Sequence, residues 1–413
     1  KQRGVSDSAD QFFDDIMTAG LGLNHPELVR ILVEGAADTI DWTRAELGVA
    51  YLDRLDRFGG HSSERSLTTR SHSGVDIIKA QVACLKRLGV QIRTCCLLKT
   101  LQTQNDGAVC GVTIRSGYRR RAPDSGSDRH IAARRAVVLA TGGFGSDAAF
   151  RKLQNPMLDE TIGTTNHKGA TAEAMIAALK IGAAPVHLSW IQIGPWACAD
   201  EPGYGKGGRF ASYSVYPTGI VVDPATGQRI VNEWGSRKER ADAIIGSGHT
   251  CVGIVDSVGA EKDARSLQHC LKTGKVKPFD TMAQLALAYE MPQDALQRTV
   301  ADYNRSIAEN VPDPFGKPLD QGVEPLAHPP FYAIRLWPKV HYTAGGLGID
   351  TGARVIDLHG TPIPRLFAAG EVCGGIHGAS RLGSVALTEC LVFGRIAGQQ
   401  AAAQPLSMPS TSP

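Results

Sequence analysis

The sequence predicts an α/β fold of the doubly wound type, interrupted by an inserted α+β domain. Two observations favour this class. Helical stretches that end at glycine alternate with strand-like runs over residues 8–145, an order typical of a sheet covered by helices. From about residue 188 the chain becomes rich in aromatic residues and glycine, and a hairpin and a helix pair follow. The length of 413 residues suits two domains, or one large domain with an insertion.

Three helices are predicted before the first strand. The stretch SADQFFDDIMTAG begins with Ser8, and the next helix follows Asn24, because serine and asparagine are favoured N-cap residues. The third, SGVDIIKAQVACLKRLG, ends at Gly89 and carries an apolar stripe. The stripe consists of Ile77, Ile78, Leu85 and Leu88.

Strands are predicted for VQIRTCCLLKTLQT, for AVCGVTIRSG and for the run RRAVVLATGGFG at 134–145. The last run ends in a tight glycine turn. In a doubly wound sheet a nucleotide cofactor passes close to such a strand end, which makes Thr141, Gly142 and Gly143 candidate binding residues. A buried strand followed by an ordinary turn explains the same letters, so the turn alone leaves both interpretations open.

The inserted domain is predicted to span residues 188–325, with residues 1–187 before it and 326–413 returning to the sheet. GIVVDPATGQRIVNE predicts a hairpin whose turn is DPATG. FDTMAQLALAYEM and PQDALQRTVADYNRSIAEN predict two helices. The second helix should bury one face, formed by Leu296, Val300, Tyr303 and Ile307.

The composition excludes several classes of protein. A net charge of +3 without a dense Lys/Arg run argues against a nucleic-acid partner. No stretch approaches the ~20 apolar residues of a membrane span. The nine cysteines form no C-x-x-C motif, so no metal site is predicted. We expect a soluble protein, and cytoplasmic and periplasmic locations both stay open.

Three separated motifs carry a family resemblance: IVNEWGSRKERADAI, VHYTAGGLGID and LFAAGEVCGGIHGASRLG. In this order they resemble the flavin-dependent soluble fumarate reductases, a family that includes the flavoprotein domains of flavocytochrome c and urocanate reductase. The resemblance implies a glutathione-reductase-like FAD-binding domain with an inserted capping domain. It also implies FAD as cofactor, an external electron donor and a small carboxylate as substrate. The implied reaction reduces the carbon–carbon double bond of an α,β-unsaturated carboxylate, with substrate between flavin and capping domain.

The resemblance assigns roles to individual residues. Arg237 falls on the arginine that protonates one alkene carbon, while the flavin delivers hydride to the other. His341 and Arg381 fall on the pair that binds the substrate carboxylate. The remaining matches are FAD contacts, which include the ATGG turn. They are Thr141, Gly142, Gly143, Glu173, Tyr342, Glu371, Ala386 and Leu387.

Some positions depart from the family pattern. No G-x-G-x-x-G opens the chain, so the family's first βαβ unit would precede Lys1 and the FAD-binding domain is expected to be incomplete at its N-terminus. Gly194 stands where fumarate reductases have a histidine, and Ser212 with Tyr213 replaces a Thr-Glu pair. The clamp for a second carboxylate is therefore missing. Ser384 replaces a glycine beside the expected flavin, and we predict that it lines the substrate pocket.

The aromatic residues Trp196, Tyr213 and Tyr216 predict a pocket for an apolar, aromatic or otherwise uncharged substrate tail. Tyr213 and Tyr216 also occupy the positions of the family's Glu–Arg proton relay, so a tyrosine hydroxyl or water would have to supply the proton. Two alternatives stay open. One is a flavin dehydrogenase of the 3-ketosteroid type, and the other is a non-catalytic, flavin-deficient relative that only binds a ligand.

Overall fold

The computed structural model describes residues 5–58, 60–319 and 323–406. The α-helices are, in chain order, α1 Ala9–Ala19, α2 Pro26–Ala45, α3 Val75–Arg87, α4 Ala148–Gln154, α5 Glu173–Leu179, α6 Gly205–Phe210, α7 Tyr216–Thr218, α8 Arg237–Gly246, α9 Ser257–Ala260, α10 Ala264–Lys272, α11 Met282–Ala288, α12 Gln293–Ala308 and α13 Val385–Ala403. A π-helix, Ala211–Val215, joins α6 to α7, and a 3-10 turn, Glu261–Asp263, precedes α10.

The strands are β1 Cys96–Thr103, β2 Val109–Ser116, β3 Ser127–Ala132, β4 Val137–Leu139, β5 Pro185–Val186, β6 Ile191–Gly194, β7 Ile220–Asp223, β8 Gln228–Arg229, β9 Cys251–Val255, β10 Val276–Phe279, β11 Phe331–Leu336, β12 Lys339–Thr343, β13 Gly346–Leu347, β14 Arg354–Ile356 and β15 Pro362–Ala368. Their sheets have the orders β1-β2-β3, β10-β11-β9-β7-β8, β12-β6, β13-β5 and β14-β15-β4.

The chain divides into two compact units. Of the described residues, unit 1 comprises 5–150, 170–191 and 342–406, and unit 2 comprises 151–169 and 192–341. The predicted insertion, 188–325, differs from unit 2, whose main segment runs from 192 to 341 and which also contains residues 151–169. Residues 326–341 belong to unit 2 because β11, within that segment, pairs with β9 and β10 in the five-stranded sheet.

Unit 1 has its hydrophobic core around β4 and β15. These strands run parallel, with Phe367 beside Val138, and β14 pairs antiparallel with β15. Helices α2 and α13 contribute Leu28, Leu32 and Phe393 to this core. Among the described residues β4 and β15 are the only parallel pair of named strands, so their carboxyl ends lie side by side.

The helix starts test the sequence analysis directly. Ser8 caps α1 as predicted, since its side chain accepts a hydrogen bond from the Gln11 amide. The predicted cap at Asn24 is wrong. α2 begins after His25, and the Asn24 amide instead donates to the carbonyls of Ile16 and Ile376. The side chain that the sequence assigned to the helix start therefore binds a loop that is distant in sequence.

The apolar stripe predicted on α3 is only partly buried. Ile77 is buried, but Ile78 is 57% exposed and Leu88, just after the helix, is 67% exposed. The helix itself forms where expected, followed by Gly89 at a φ of 68°. Periodicity thus located the helix but not the residues that it buries.

Unit 2 is built on the five-stranded antiparallel sheet. The predicted hairpin forms from β7 and β8, and α11 and α12 form the predicted helix pair. Leu296, Val300 and Tyr303 of α12 are buried as expected, and Ile307 packs against the same cluster. The hairpin and helix-pair predictions are therefore confirmed.

A helical run over residues 205–218 was not expected, because the segment is rich in glycine. The Glu201 carboxylate accepts hydrogen bonds from the amides of Lys206 and Gly207 at 2.8 and 2.7 Å, which satisfies two amides at the start of α6. Gly207 packs so closely on Cys198 that an added Cβ would lie 2.7 Å from that side chain. Tertiary packing here overrides low helix propensity.

No described helix is sufficiently long and apolar to serve as a membrane span. Within the same described ranges, no group of three His, Cys, Asp or Glu side chains is arranged to hold a metal ion.

Candidate flavin and substrate sites

Two glycine turns follow the carboxyl ends of β4 and β15 in unit 1. Gly142 has a φ of 74°, and a Cβ added there would meet no described atom within 4 Å. Gly143 is tightly packed, since an added Cβ would lie 2.0 Å from Thr343 Oγ1 and 2.6 Å from Glu371 Oε1. The first glycine therefore leaves open space at the strand end, while the second brings the turn against Glu371.

Glu371 follows β15 and accepts two hydrogen bonds from Thr343. The Thr343 amide lies 2.9 Å and its hydroxyl 3.2 Å from Oε1. Burial raises the pKa of Glu371 to about 7, although the Thr343 amide and the positive charge of Arg381 oppose that rise. The side chain can therefore exchange a proton near neutral pH at the edge where a cofactor is expected.

Arg381 is only 7% exposed. Its guanidinium carbon lies 4.8 Å from the centre of the Tyr342 ring, and Nη1 donates to the Leu382 carbonyl at 2.7 Å. Burial lowers the pKa of Arg381, while Tyr342, Glu371 and Glu389 favour its charged form. The chain thus keeps this cation in a desolvated position and offers it an aromatic face.

Tyr342 is itself held by a buried carboxylate. Its hydroxyl donates to Glu389 Oε2 at 2.8 Å, and His377 Nε2 lies 2.9 Å from the same oxygen. Glu389 is fully buried on α13, and its other oxygen has no hydrogen-bond partner among the described residues. These contacts fix the ring on which Arg381 lies.

The start of α13 departs from an ordinary helix cap. Ser384 has a left-handed φ of 62°, and its side chain forms a 2.7 Å hydrogen bond with Ser66 instead of capping the helix. In the first turn Ala386 is half-buried and Leu387 is 51% exposed. Glu173, the weaker cofactor candidate, is half-buried at the first residue of α5.

Arg237 is the first residue of α8 in unit 2. Ser236 and Glu239 form a capping box that fixes this helix start. The Arg237 Nη1 donates to Gln192 Oε1 at 2.8 Å, and the guanidinium carbon lies 4.8 Å from the Trp196 ring centre. The guanidinium is therefore oriented by an amide oxygen and an aromatic face.

A buried ion cluster anchors the segment that leads into α8. Glu233 accepts from Arg229 at 2.7 Å and from the Val221 amide at 3.0 Å. The Lys317 ammonium lies 3.4 Å from Glu233 and donates to the Gly219 carbonyl. Both acid and lysine are buried, so this cluster ties the segment before Arg237 to the sheet.

His341 lies beside the same tryptophan. Its Nδ1 is 2.7 Å from Thr165 Oγ1, and its ring meets Trp196 edge-on with 5.2 Å between centroids. Tyr204 lies 6.2 Å from the histidine ring and 6.4 Å from the indole. Arg237 and His341, which are distant in sequence, thus share Trp196 as a neighbour.

The aromatic residues predicted to line a substrate pocket have different positions. Tyr216 is packed in the core, where its hydroxyl donates to the Pro195 carbonyl at 2.9 Å and burial raises its pKa. This placement corrects the pocket and proton-relay interpretations of Tyr216. Tyr213 is 38% exposed with Arg209 over its ring, and Trp196 is buried.

Sequence reasoning missed Gln192, Tyr204 and Glu389. Glu389 had a signal, since one carboxylate interrupts the apolar helix segment LTECLVF. Tyr204 lies in the aromatic, glycine-rich segment, but nothing in the letters separates it from Tyr213. Gln192 becomes recognisable only through its contact with Arg237.

Comparison with known proteins agrees with this architecture. A family model described as an FAD binding domain matches residues 1–387. The acrylate reductase flavoprotein subunit of Shewanella woodyi is 38% identical over 405 residues, which are 97% of this chain and 80% of that protein. Urocanate reductase of Eggerthella lenta is 32% identical over 423 residues, 98% of this chain and 66% of that protein.

Two solved structures of oxidoreductases have a similar fold. The open conformation of a flavocytochrome c3 fumarate reductase has a TM-score of 0.78 at 32% identity, covering 97% of this chain and 68% of that one. A 3-ketosteroid-Δ4-(5α)-dehydrogenase from Rhodococcus jostii has a TM-score of 0.73 at 23% identity, covering 97% and 85%. The second likeness concerns the fold alone.

The fold and the residues at its strand ends define a flavoprotein oxidoreductase. The open face of Gly142 and the acid at Glu371 fit FAD at the carboxyl ends of the parallel strands, where such sheets bind nucleotides. The chain belongs to the FAD-binding family that contains the acrylate, urocanate and fumarate reductase flavoproteins.

Proposed function

We propose that this protein reduces the carbon–carbon double bond of a small 2-enoate that carries one carboxylate, with acrylate as the simplest example. The packing around Gly194 is the observation that carries the proposal. A Cβ at this position would lie 3.1 Å from Cζ2 of Trp196, so the indole takes the room that a side chain would need. A histidine at residue 194 would therefore require the indole to shift, and this chain has glycine there, with no side chain to bind a second carboxylate. The similarity to an acrylate reductase subunit supports the same substrate class.

The burial of two aromatic residues, Trp196 and Tyr216, favours a small substrate. Trp196 is 6% exposed and Tyr216 3% exposed, so neither offers a wide aromatic surface to a long tail. Neither residue therefore offers an open ring face to a substrate tail. A short enoate fits this arrangement better than an aryl-acrylate.

Different groups carry out hydride supply, carboxylate binding and proton transfer. Bound FAD supplies the hydride. The family resemblance assigns carboxylate binding to Arg381 and to His341, and a cation on the carboxylate would orient the alkene and draw electron density toward the carboxylate. Arg237 transfers a proton to the alkene carbon that does not receive the hydride. It must be reprotonated after each turnover, since a guanidinium stays charged at neutral pH.

The electron source is an external donor. The motifs that this chain shares with its family concern flavin and carboxylate binding, and its relatives include a flavoprotein subunit. A reduced viologen can take the donor's place in an assay.

The test is anaerobic turnover of the FAD-loaded protein with reduced viologen on acrylate, fumarate and a cinnamate. We expect acrylate to be reduced at the highest kcat/KM. Arg237→Ala should abolish turnover while the visible flavin absorbance persists, and Lys238→Ala, an exposed neighbour on the same helix, is the matched control. Faster turnover of fumarate would overturn the proposed substrate class.

The two alternatives predict other outcomes. A steroid dehydrogenase would oxidise a 3-ketosteroid and ignore enoates, and its support here is likeness of fold. A non-catalytic relative would bind acrylate without reducing it. Retention of Arg237, His341 and Arg381 favours the reductase.

A further inference from the structure

Trp196 has a buried hydrogen-bond donor that the protein leaves unused. Its side chain is 6% exposed, and Nε1 has no hydrogen-bond partner among the described residues. A buried N–H without an acceptor costs about 1–3 kcal/mol, so native proteins rarely retain one without a function. A phenylalanine would fill much of the same space without that cost.

The indole ring that carries the donor packs against two glycines, Gly194 and Gly208. The ring carbons bonded to Nε1 are Cδ1 and Cε2. A Cβ added to Gly208 would lie 3.4 Å from Cδ1, and one added to Gly194 would lie 3.2 Å from Cε2. Neither glycine has a side chain that could accept a hydrogen bond from Nε1, which agrees with its lack of a partner among the described residues.

The other neighbours are the groups already assigned to the substrate. Arg237 lies over the indole face at 4.8 Å and His341 meets the ring edge-on at 5.2 Å. A cation over the ring withdraws electron density from it, which strengthens the N–H as a donor. An anion bound near Arg237 and His341 would supply the missing acceptor.

We propose that the Trp196 indole N–H donates a hydrogen bond to a carboxylate oxygen of the bound enoate. This inference rests on the proposed function and makes Trp196 a substrate-binding residue in place of a purely packing one. It also explains why a tryptophan, and not another large apolar residue, fills the space beside Gly194.

The first test compares Trp196→Phe with the native FAD-loaded enzyme. Loss of one hydrogen bond to a charged acceptor should raise KM for acrylate about tenfold, with a smaller change in kcat. Trp337→Phe makes the same substitution at the edge of the same core cluster and should leave KM unchanged. Equal KM values for Trp196→Phe and the native enzyme would overturn the inference.

The second test follows the N–H itself and does not depend on turnover. In FAD-loaded protein labelled with ¹⁵N-tryptophan, the indole resonance that is lost in Trp196→Phe belongs to Trp196. Propionate, a saturated carboxylate that cannot be reduced, should move this resonance downfield. A resonance that stays in place while propionate binds refutes the inference, even if acrylate is reduced. Absence of acrylate reduction, by contrast, refutes the proposed function.

Discussion

The guanidinium carbon of Arg381 lies 4.8 Å from the ring centre of Tyr342, and the hydroxyl of that ring donates to the buried Glu389. The arginine is therefore held through a neighbour that is fixed at its far end. The two functions of Tyr342, its aromatic face and its hydroxyl, can be separated by substitution.

Tyr342→Phe keeps the aromatic face and removes the hydroxyl. We expect a loss of about 1–3 kcal/mol of unfolding free energy, because Glu389 loses a buried donor. KM for the enoate should change less than threefold. Tyr342→Leu should lower the unfolding free energy in the same way and should also raise KM for the enoate about tenfold. Urea unfolding and steady-state kinetics measure both, and equal KM values for the two variants would contradict the proposed role of the ring.

Gln192 is expected to orient Arg237 for proton transfer. Gln192→Leu removes the acceptor at 2.8 Å and should lower kcat about tenfold, because a small misplacement of a reacting group is costly. Gln192→Glu keeps an acceptor of the same shape and should restore most of the rate. Stopped-flow reoxidation of the reduced flavin by acrylate reports the chemical step. If the leucine and glutamate variants react equally fast, Gln192 has no orienting role.

Glu371 should make stability depend on pH. Burial raises its pKa to about 7 in the native state, so the native state binds this proton more tightly than the unfolded chain. The stabilisation is fully present below the ordinary glutamate pKa and is lost as the pH rises through about 7. Glu371→Gln stays neutral, so its stability relative to the native apoprotein should rise by about 1–3 kcal/mol between pH 5 and 8. Parallel pH profiles in chemical denaturation would exclude this linkage.

Gly143 and Gly394 form a matched pair of glycine substitutions. Gly143→Ala would place a Cβ 2.0 Å from Thr343 Oγ1, and we expect it to cost at least about 2 kcal/mol of stability and to reduce flavin binding. Gly394→Ala lies within α13, where the new Cβ would have no described atom within 4 Å beyond its chain neighbours and its own helix backbone, and it should stabilise the protein by about 1 kcal/mol. Thermal unfolding distinguishes them, and equal shifts for the two variants would contradict the packing at Gly143.

The candidate residues at the strand ends are predicted from the sequence because they lie in contiguous motifs. Strand-to-turn transitions at 137–143 and 366–371 are local, so apolar runs and glycine locate them. Packing partners are not local. The Asn24 side chain donates a hydrogen bond to a carbonyl more than 350 residues away, and Ile78 of the apolar stripe on α3 is exposed.

The resemblance of three motifs to a known family indicated a flavoprotein, and the sequence by itself determined the α/β class and the hairpin and helix pair of unit 2. It could do so because turn chemistry, capping and apolar periodicity act over a few residues. Only the tertiary structure decided that Trp196 fills the space beside Gly194, that Tyr216 is core, and that Glu389 supports Tyr342. Those relations depend on desolvation and contact between segments that are far apart in the chain, and no local pattern encodes which segments will meet.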